Sequence, residues 1–385
     1  MTGFIFQTCK QLINSPGAIA QLGELCLQQK IARPLIVTDQ GIVGAGLLAR
    51  ATAPLAAAGL ASVSFSDVVA DPPEAVVLAA LDCARDNRID GVIGFGGGSA
   101  MDTAKLVALM ACSGESLADI YGVEQAKGQR LPLIQVPTTA GTGSEVTPIA
   151  IVTTGASTKM GVVSGRLMPD VALLDAELTL GLPPAVTAST GIDAMVHAIE
   201  AFTSVHKKNP YSDMLAKQAL QLMSENLLSA VREPGNLQAR QNMLLGAMMA
   251  GQAFANAPVA AVHALAYPLG GQFHISHGLS NSLVLPEVLR FNAAAAAAHY
   301  AELAPFVMGD SVPAGDAAVK TAALIDHLQK LIAEVGLPSR LRDVGVAETA
   351  LESLARDALL QQRLLINNPR PVAYEDALAI YQAVY

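Results

Sequence analysis

The chain has 385 residues, enough for two or three domains and a large core. It is 52% hydrophobic and 15% charged with a mean hydropathy of +0.40, yet no window holds the ~18 consecutive apolar residues of a spanning helix, which excludes a helical membrane protein and points to heavily packed helices. A net charge of −9 disfavours nucleic acid and anionic membranes as partners, and the absence of Trp argues against an aromatic-lined platform.

The N-terminus lacks a basic stretch followed by a long apolar core, so no signal peptide is expected. Cys9, Cys26, Cys83 and Cys112 form no CxxC pair, and structural thiols in a reduced, cytoplasmic protein are expected. The first half alternates between short apolar strands and amphipathic helices. Strands are expected at 34–38, 62–65, 91–95, 133–136, 149–153 and 171–174, and helices at 47–58, 74–88 and 100–111. Gly181-Leu182-Pro183-Pro184 then punctuates the chain. Beyond it the periodicity is helical, at 186–202, 213–231, 237–255, 260–266, 293–306, 317–335, 349–359 and 374–385. The expectation is an α/β domain with a largely parallel sheet over residues 1–180, followed by an all-α domain over 181–385.

Two loops of the first half suit a nucleotide. Gly94-Phe95-Gly96-Gly97-Gly98-Ser99 joins a strand to a helix, where glycines admit a phosphate and the helix N-terminus supplies free N–H groups. It departs from the Rossmann fingerprint: the sixth position is Ser99, and the candidate ribose-binding acid, Asp39, precedes the loop. The second loop, Thr138-Thr139-Ala140-Gly141-Thr142-Gly143-Ser144-Glu145, is richer in hydroxyls than a simple turn requires. Asp39 would bond a free 2′-hydroxyl and repel a 2′-phosphate, which favours NAD over NADP. Asp102 and Lys105, three apart on the following helix, read either as a surface ion pair or as groups near the phosphate. Lys159, in a Gly/Ser/Thr turn, could reach the cofactor.

The second half carries a metal-ligand pattern. Asp193 and His197 are four apart and share one helical face, with Ser189, Thr190 and Gly191 as capping residues before them. His263 closes a helix that Pro268, Gly270 and Gly271 terminate, and His277 begins the next segment, so the chain can present both imidazoles to the first pair. A lone histidine is usually structural, but a carboxylate and three imidazoles together suit Zn²⁺ or Fe²⁺.

These residues make the chain resemble the iron-containing (group III) alcohol dehydrogenases, whose fold is shared with glycerol dehydrogenase and dehydroquinate synthase. The resemblance covers nearly the whole chain. It rests on Gly96-Gly97-Gly98-Ser99-x-x-Asp102-x-x-Lys105, Pro137 to Glu145, Gly191-Ile192-Asp193-Ala194-x-x-His197-Ala198-Ile199-Glu200, His263-x-x-x-x-Pro268-Leu269-Gly270, His277-Gly278 and Asn368-Pro369-Arg370. It implies a nucleotide-binding α/β domain, a helical domain and a cleft between them. It implies Asp193, His197, His263 and His277 as ligands of Fe²⁺, with Zn²⁺ as the alternative. It also implies NAD contacts from Asp39, Gly97, Gly98, Ser99, Thr138, Thr139, Thr142 and Lys159, with Asp71 a weaker candidate.

The chain departs from the family pattern at Tyr267, where many members carry a further histidine four residues after the third ligand. Tyrosine donates a hydrogen bond but shuttles protons less readily at neutral pH, and His274 is the nearby substitute. The expected activity is hydride transfer between NAD(H) and a small alcohol, aldehyde or ketone, by a homo-oligomer with a dimer favoured. Alternatives are a glycerol dehydrogenase, a maleylacetate-type reductase or a lyase on the same fold. The lyase is disfavoured because no Arg/Lys cluster flanks Asp193 or His263. A non-catalytic nucleotide-binding protein would have no need of the metal ligands.

Overall fold

The structure is a computed structural model and describes residues 3–155 and 158–385. The chain forms two compact units, Thr8–Gly181 and Leu182–Tyr385, the second including the N-terminal segment through Gln7.

The first unit contains, in order, β1 (Gln11–Asn14), α1 (Leu22–Gln28), β2 (Pro34–Asp39), α2 (Gln40–Gly44), α3 (Leu48–Ala57), β3 (Val63–Val68), α4 (Glu74–Asp86), β4 (Gly91–Gly96), α5 (Gly98–Ser113), α6 (Leu117–Ile120), β5 (Gly122–Val123), β6 (Leu133–Pro137), β7 (Ile149–Thr154), β8 (Thr158–Val163) and β9 (Val171–Leu174). Six strands form a sheet in the order β1-β9-β6-β4-β2-β3, every pair parallel. Its central strands are apolar on both faces, as a parallel sheet covered on both sides requires. Ile36, Ile93, Phe95, Ile134 and Val136 pack into one core, while Leu35, Val37, Val92 and Leu133 face another with Ala104, Val107 and Ala108 of α5. This period-two alternation fixes the register, because a slip of one residue would exchange the faces. A second sheet, β5-β8-β7, pairs β7 and β8 antiparallel.

The second unit is helical: α7 (Pro184–Thr203), α8 (Pro210–Arg232), α9 (Leu237–Asn256), α10 (Ala261–Phe273), α11 (His277–Met308), α12 (Ala317–Glu334), α13 (Leu351–Leu359), α14 (Gln362–Leu365) and α15 (Tyr374–Ala383). From Gly191 to Thr203 every residue of α7 is buried, so it is the unit's central helix, and it packs against α8, α9 and α11. No single described helix is long and apolar enough to cross a membrane; α9 and α10 pass such a test only as a pair bent by 106°.

Several sequence expectations are corrected. α7 starts at Pro184, whose missing N–H is harmless at a first helical position, so Ser189, Thr190 and Gly191 lie inside the helix rather than capping it. α10 continues through Pro268 to Phe273 and ends at His274, which takes the left-handed conformation at φ 55°. A proline removes one helical hydrogen bond at a cost of about 3 kcal/mol. Burial of Val262, Leu265 and Leu269 outweighs it. α11 starts at His277, well before residue 293, and carries Pro286 and Pro305 within it. Lys159 lies on β8 rather than in a turn; Ala156 and Ser157 fall outside the described residues.

Candidate functional site

In the helical unit, α7 presents Asp193 and His197 from one face, α10 supplies His263 and α11 supplies His277. One ligand atom from each of the four lies within 4.8 Å of all the others. The Asp193 Oδ1 atom is 4.0, 3.9 and 3.6 Å from Nε2 of His197, His263 and His277. These separations are too long for hydrogen bonds. They suit donors around one first-row cation, since two atoms each bonded at about 2.1 Å in tetrahedral geometry sit roughly 3.4 Å apart. Asp193, His197 and His263 are buried, and His277 is half-buried. A glycine makes the approach of α11 to α7 feasible: a Cβ on Gly278 would lie 2.3 Å from the Ser189 carbonyl oxygen.

The surrounding contacts define the donor set further. Glu200, one turn along α7 and buried, accepts from His263 Nδ1 at 2.6 Å through Oε2 and from the Val262 amide at 2.7 Å through Oε1. A carboxylate accepting at Nδ1 places the imidazole proton there and leaves Nε2 as a bare lone pair facing Asp193. Asn281, one turn after His277 on α11, donates Nδ2 to Asp193 Oδ1 at 2.6 Å and lies 3.3 Å from Nε2 of both His263 and His277. Burial pushes the Asp193 carboxyl up, but the His277, His197 and His263 imidazoles and the Asn281 amide outweigh it and hold the group below its ordinary value. Phe254 of α9 stacks on His197 at 4.4 Å between ring centroids and walls that side with carbon. Charge, softness and orientation of this donor set fit Fe²⁺ or Zn²⁺.

Tyr267, one turn after His263 on α10, is half-buried with its ring 6.0 Å from that of His277. His274 is exposed at the C-cap of α10, where its backbone N–H donates to the Gly270 carbonyl. Neither Glu200 nor Asn281 carries a role in the sequence reading. Both were accessible to the spacing that marks Asp193 and His197: Glu200 follows His197 by three and Asn281 follows His277 by four. The second spacing becomes informative only once α11 is known to begin at His277.

In the α/β unit, β6, β4 and β2 are adjacent parallel strands, and Thr138, Gly97 and Asp39 follow or end them at one edge of the sheet. The carboxyl ends of parallel strands are where open α/β sheets bind ligands. The Thr138 amide donates to the Gly96 carbonyl at 3.0 Å, so the two loops leave the sheet side by side. Gly96 has φ 154°, and Gly97 caps the 16-residue α5, whose first turn holds Gly98 and Ser99. Thr139 and Thr142 stand against Gly97 and Gly98, where added Cβ atoms would lie 3.7 Å from Thr139 Oγ1 and 2.9 Å from Thr142 Cγ2. Asp39 caps α2 by accepting from the Ile42 amide at 3.0 Å. Its Oδ2 is 3.3 Å from where a Gly96 Cβ would be, beside the glycine loop.

Asp71 and Lys159 meet each other: Lys159 Nζ lies 2.6 Å from Asp71 Oδ1, and Asp71 has φ 53°. Of the two readings of Asp102 and Lys105, the surface ion pair is ruled out. Lys105 is completely buried, and its ammonium turns into the second loop rather than toward solvent.

Against known proteins, residues 9–176 match the family model described as iron-containing alcohol dehydrogenase, and residues 187–385 match that of the C-terminal part of the Fe-containing alcohol dehydrogenase family. The long-chain-alcohol dehydrogenase 1 of Geobacillus thermodenitrificans is 42% identical over 96% of this chain and 93% of its own. The NAD-dependent methanol dehydrogenase of Bacillus methanolicus is 33% identical over 94% of this chain and 95% of its own. A crystal structure of 1,3-propanediol oxidoreductase superposes with a TM-score of 0.96 at 33% identity, covering all of both chains.

Proposed function

The chain belongs to the iron-containing alcohol dehydrogenase family, and from that premise we propose an NAD-dependent, metal-dependent oxidoreductase that interconverts a small alcohol and its aldehyde or ketone. The observation that carries this reading is the buried set Asp193, His197, His263 and His277, with Glu200 orienting one of its imidazoles. When bound, the cation supplies Lewis-acid polarisation of the substrate oxygen, and the nicotinamide supplies the hydride acceptor or donor.

The chain's own residues supply binding, orientation and proton handling. Glu200 holds the His263 proton at Nδ1, and Asn281 orients the Asp193 carboxylate. Phe254 keeps water from the His197 side. Tyr267 is the group that donates a hydrogen bond to the substrate oxygen; the exposed His274 is left as a C-cap. Gly97, Gly98, Ser99, Thr138, Thr139 and Thr142 hold the dinucleotide phosphates, and Asp39 accepts from the ribose 2′-hydroxyl, which selects NAD. The name of the methanol-oxidising relative supports the same cofactor. Lys159 serves this site only if it leaves Asp71. The working form is a cytoplasmic homodimer.

The test is a panel of alcohols, diols and aldehydes with Fe²⁺- and Zn²⁺-reconstituted protein, followed at the reduced-nicotinamide absorbance band. Alcohol-dependent reduction of NAD supports the reading; no turnover with either metal and any substrate in either direction overturns it.

A further inference from the structure

An ammonium group has three protons to donate. Those of Lys105 are all committed: Nζ reaches Ser144 Oγ at 2.7 Å, Thr147 Oγ1 at 3.1 Å and the Ile149 carbonyl at 2.6 Å, with Asp102 Oδ1 beside it at 3.4 Å. Asp102 completes the lattice by accepting from Ser144 Oγ at 2.6 Å and from the Ile151 amide at 3.0 Å. One turn of α5 is thereby fastened to the segment from Ser144 to Ile151.

Short of β7, that segment has few other backbone bonds. Between β6 and β7, the backbone bonds are those of Thr138 to Gly96, Val146 to Gly143, Thr147 to Ser144 and Ser164 to the Pro148 carbonyl, and from Ile149 onward the chain pairs with β8. Ser144 is two residues beyond Thr142, and its amide donates to Thr142 Oγ1 at 3.3 Å. Thr142 in turn stands against Gly98 at the start of α5. A continuous path runs from Lys105 through Ser144 and Thr142 to the mouth of the glycine loop. Stability alone does not explain a lysine here, because buried ion pairs are often replaced by apolar groups with no loss. Burial pulls the Lys105 ammonium down from its ordinary value, and Asp102 pulls it back.

We infer that Lys105 and Asp102 are positioning residues, a tether that sets the shape of the second cofactor loop. With every proton committed, Lys105 has none left for a phosphate. The inference rests on the reading of these loops as the dinucleotide site. The test uses the full-length, metal-loaded protein with Lys105→Met, Ser144→Ala, the double variant and Ser144→Thr. The dissociation constant of NADH is read from the cofactor's own fluorescence, with no tryptophan in the chain to interfere. The KM for alcohol at saturating NAD and the metal content are measured alongside.

Each single loss should weaken NADH tenfold or more, with a much smaller change in alcohol KM and none in metal content. The double variant should be no worse than the larger single, because both cut one path. Ser144→Thr should recover most of the affinity. NADH affinity within twofold of wild type in Ser144→Ala, or multiplicative losses in the double variant, would overturn the inference. Should Lys105→Met fail to fold, Ser144→Ala against Ser144→Thr decides alone. A wild-type chain that turns over alcohol and binds NADH leaves the loop reading intact whichever way the variants fall; one that binds no NADH overturns that reading and the inference with it.

Discussion

Replacing Glu200 by glutamine asks whether the helical unit is built around a cation. The carboxylate satisfies two buried donors, His263 Nδ1 at 2.6 Å and the Val262 amide at 2.7 Å. An amide of the same shape can accept from only one of them. If its oxygen stays with Val262, the NH₂ faces His263 Nδ1 and drives the imidazole proton to Nε2, the atom that faces Asp193. If its oxygen turns to His263, two N–H groups confront each other at Val262. Either way one charge-assisted bond is lost, worth about 1.5–3 kcal/mol. At about 1.4 kcal/mol per decade, that is a roughly 10- to 100-fold loss of metal affinity. Competition against a chromophoric chelator measures it, with NADH affinity as the control for an intact α/β unit. Metal affinity within threefold of wild type, in a folded Glu200→Gln protein, would refute the assignment of Glu200 as the orienting carboxylate.

Other consequences follow from the α/β unit. Gly98→Ala puts a Cβ 2.9 Å from Thr142 Cγ2, so the loops must separate; steady-state kinetics should show KM for NAD raised several-fold, and an unchanged KM would argue against a shared site. Asp39→Ser removes the charge but keeps a good helix cap. The ratio of kcat/KM for NAD over NADP should fall at least tenfold (roughly the 1.4 kcal/mol of one lost selective contact), and an unchanged ratio sinks the role of Asp39. Burial pushes the Glu145 carboxyl up to about 7 from 4.5, against its own backbone amide and Lys105. The folded state therefore binds the extra proton between these values, and stability is greatest below the window and falls as pH rises through it. Thermal melts from pH 4.5 to 8 should show this slope shrink in Glu145→Gln, whose side chain cannot ionise; an identical slope in both proteins contradicts the assignment.

Half of the Asp193, His197, His263 and His277 cluster was legible because helical spacing puts Asp193 and His197 on one face whatever surrounds them. The parallel sheet was legible from its double-sided apolar strands, such as Leu35-Ile36-Val37. Helix ends were harder. Pro268 reads as a break but lies within α10, where buried apolar neighbours outweigh one missing hydrogen bond. The expected start of the next helix at 293 rather than at His277 hid the relation between His277 and Asn281. β1 and β8 went unread: β1 is an edge strand exposed at Gln11 and Leu12, and β8 alternates around Lys159 and Gly161, with little apolar signal. The burial of Lys105 had no local signature, since its acceptors lie about forty residues downstream.

The central claim is that Asp193, His197, His263 and His277 hold one cation on which alcohol oxidation depends. The most direct test titrates chelator-stripped protein with Fe²⁺ under anaerobic conditions while following NAD reduction by a substrate alcohol, with His277→Ala in parallel. Activity should rise linearly to one equivalent per chain and then level off, and His277→Ala should stay near zero throughout. Full turnover in the stripped protein, or a normal titration by His277→Ala, would contradict the account.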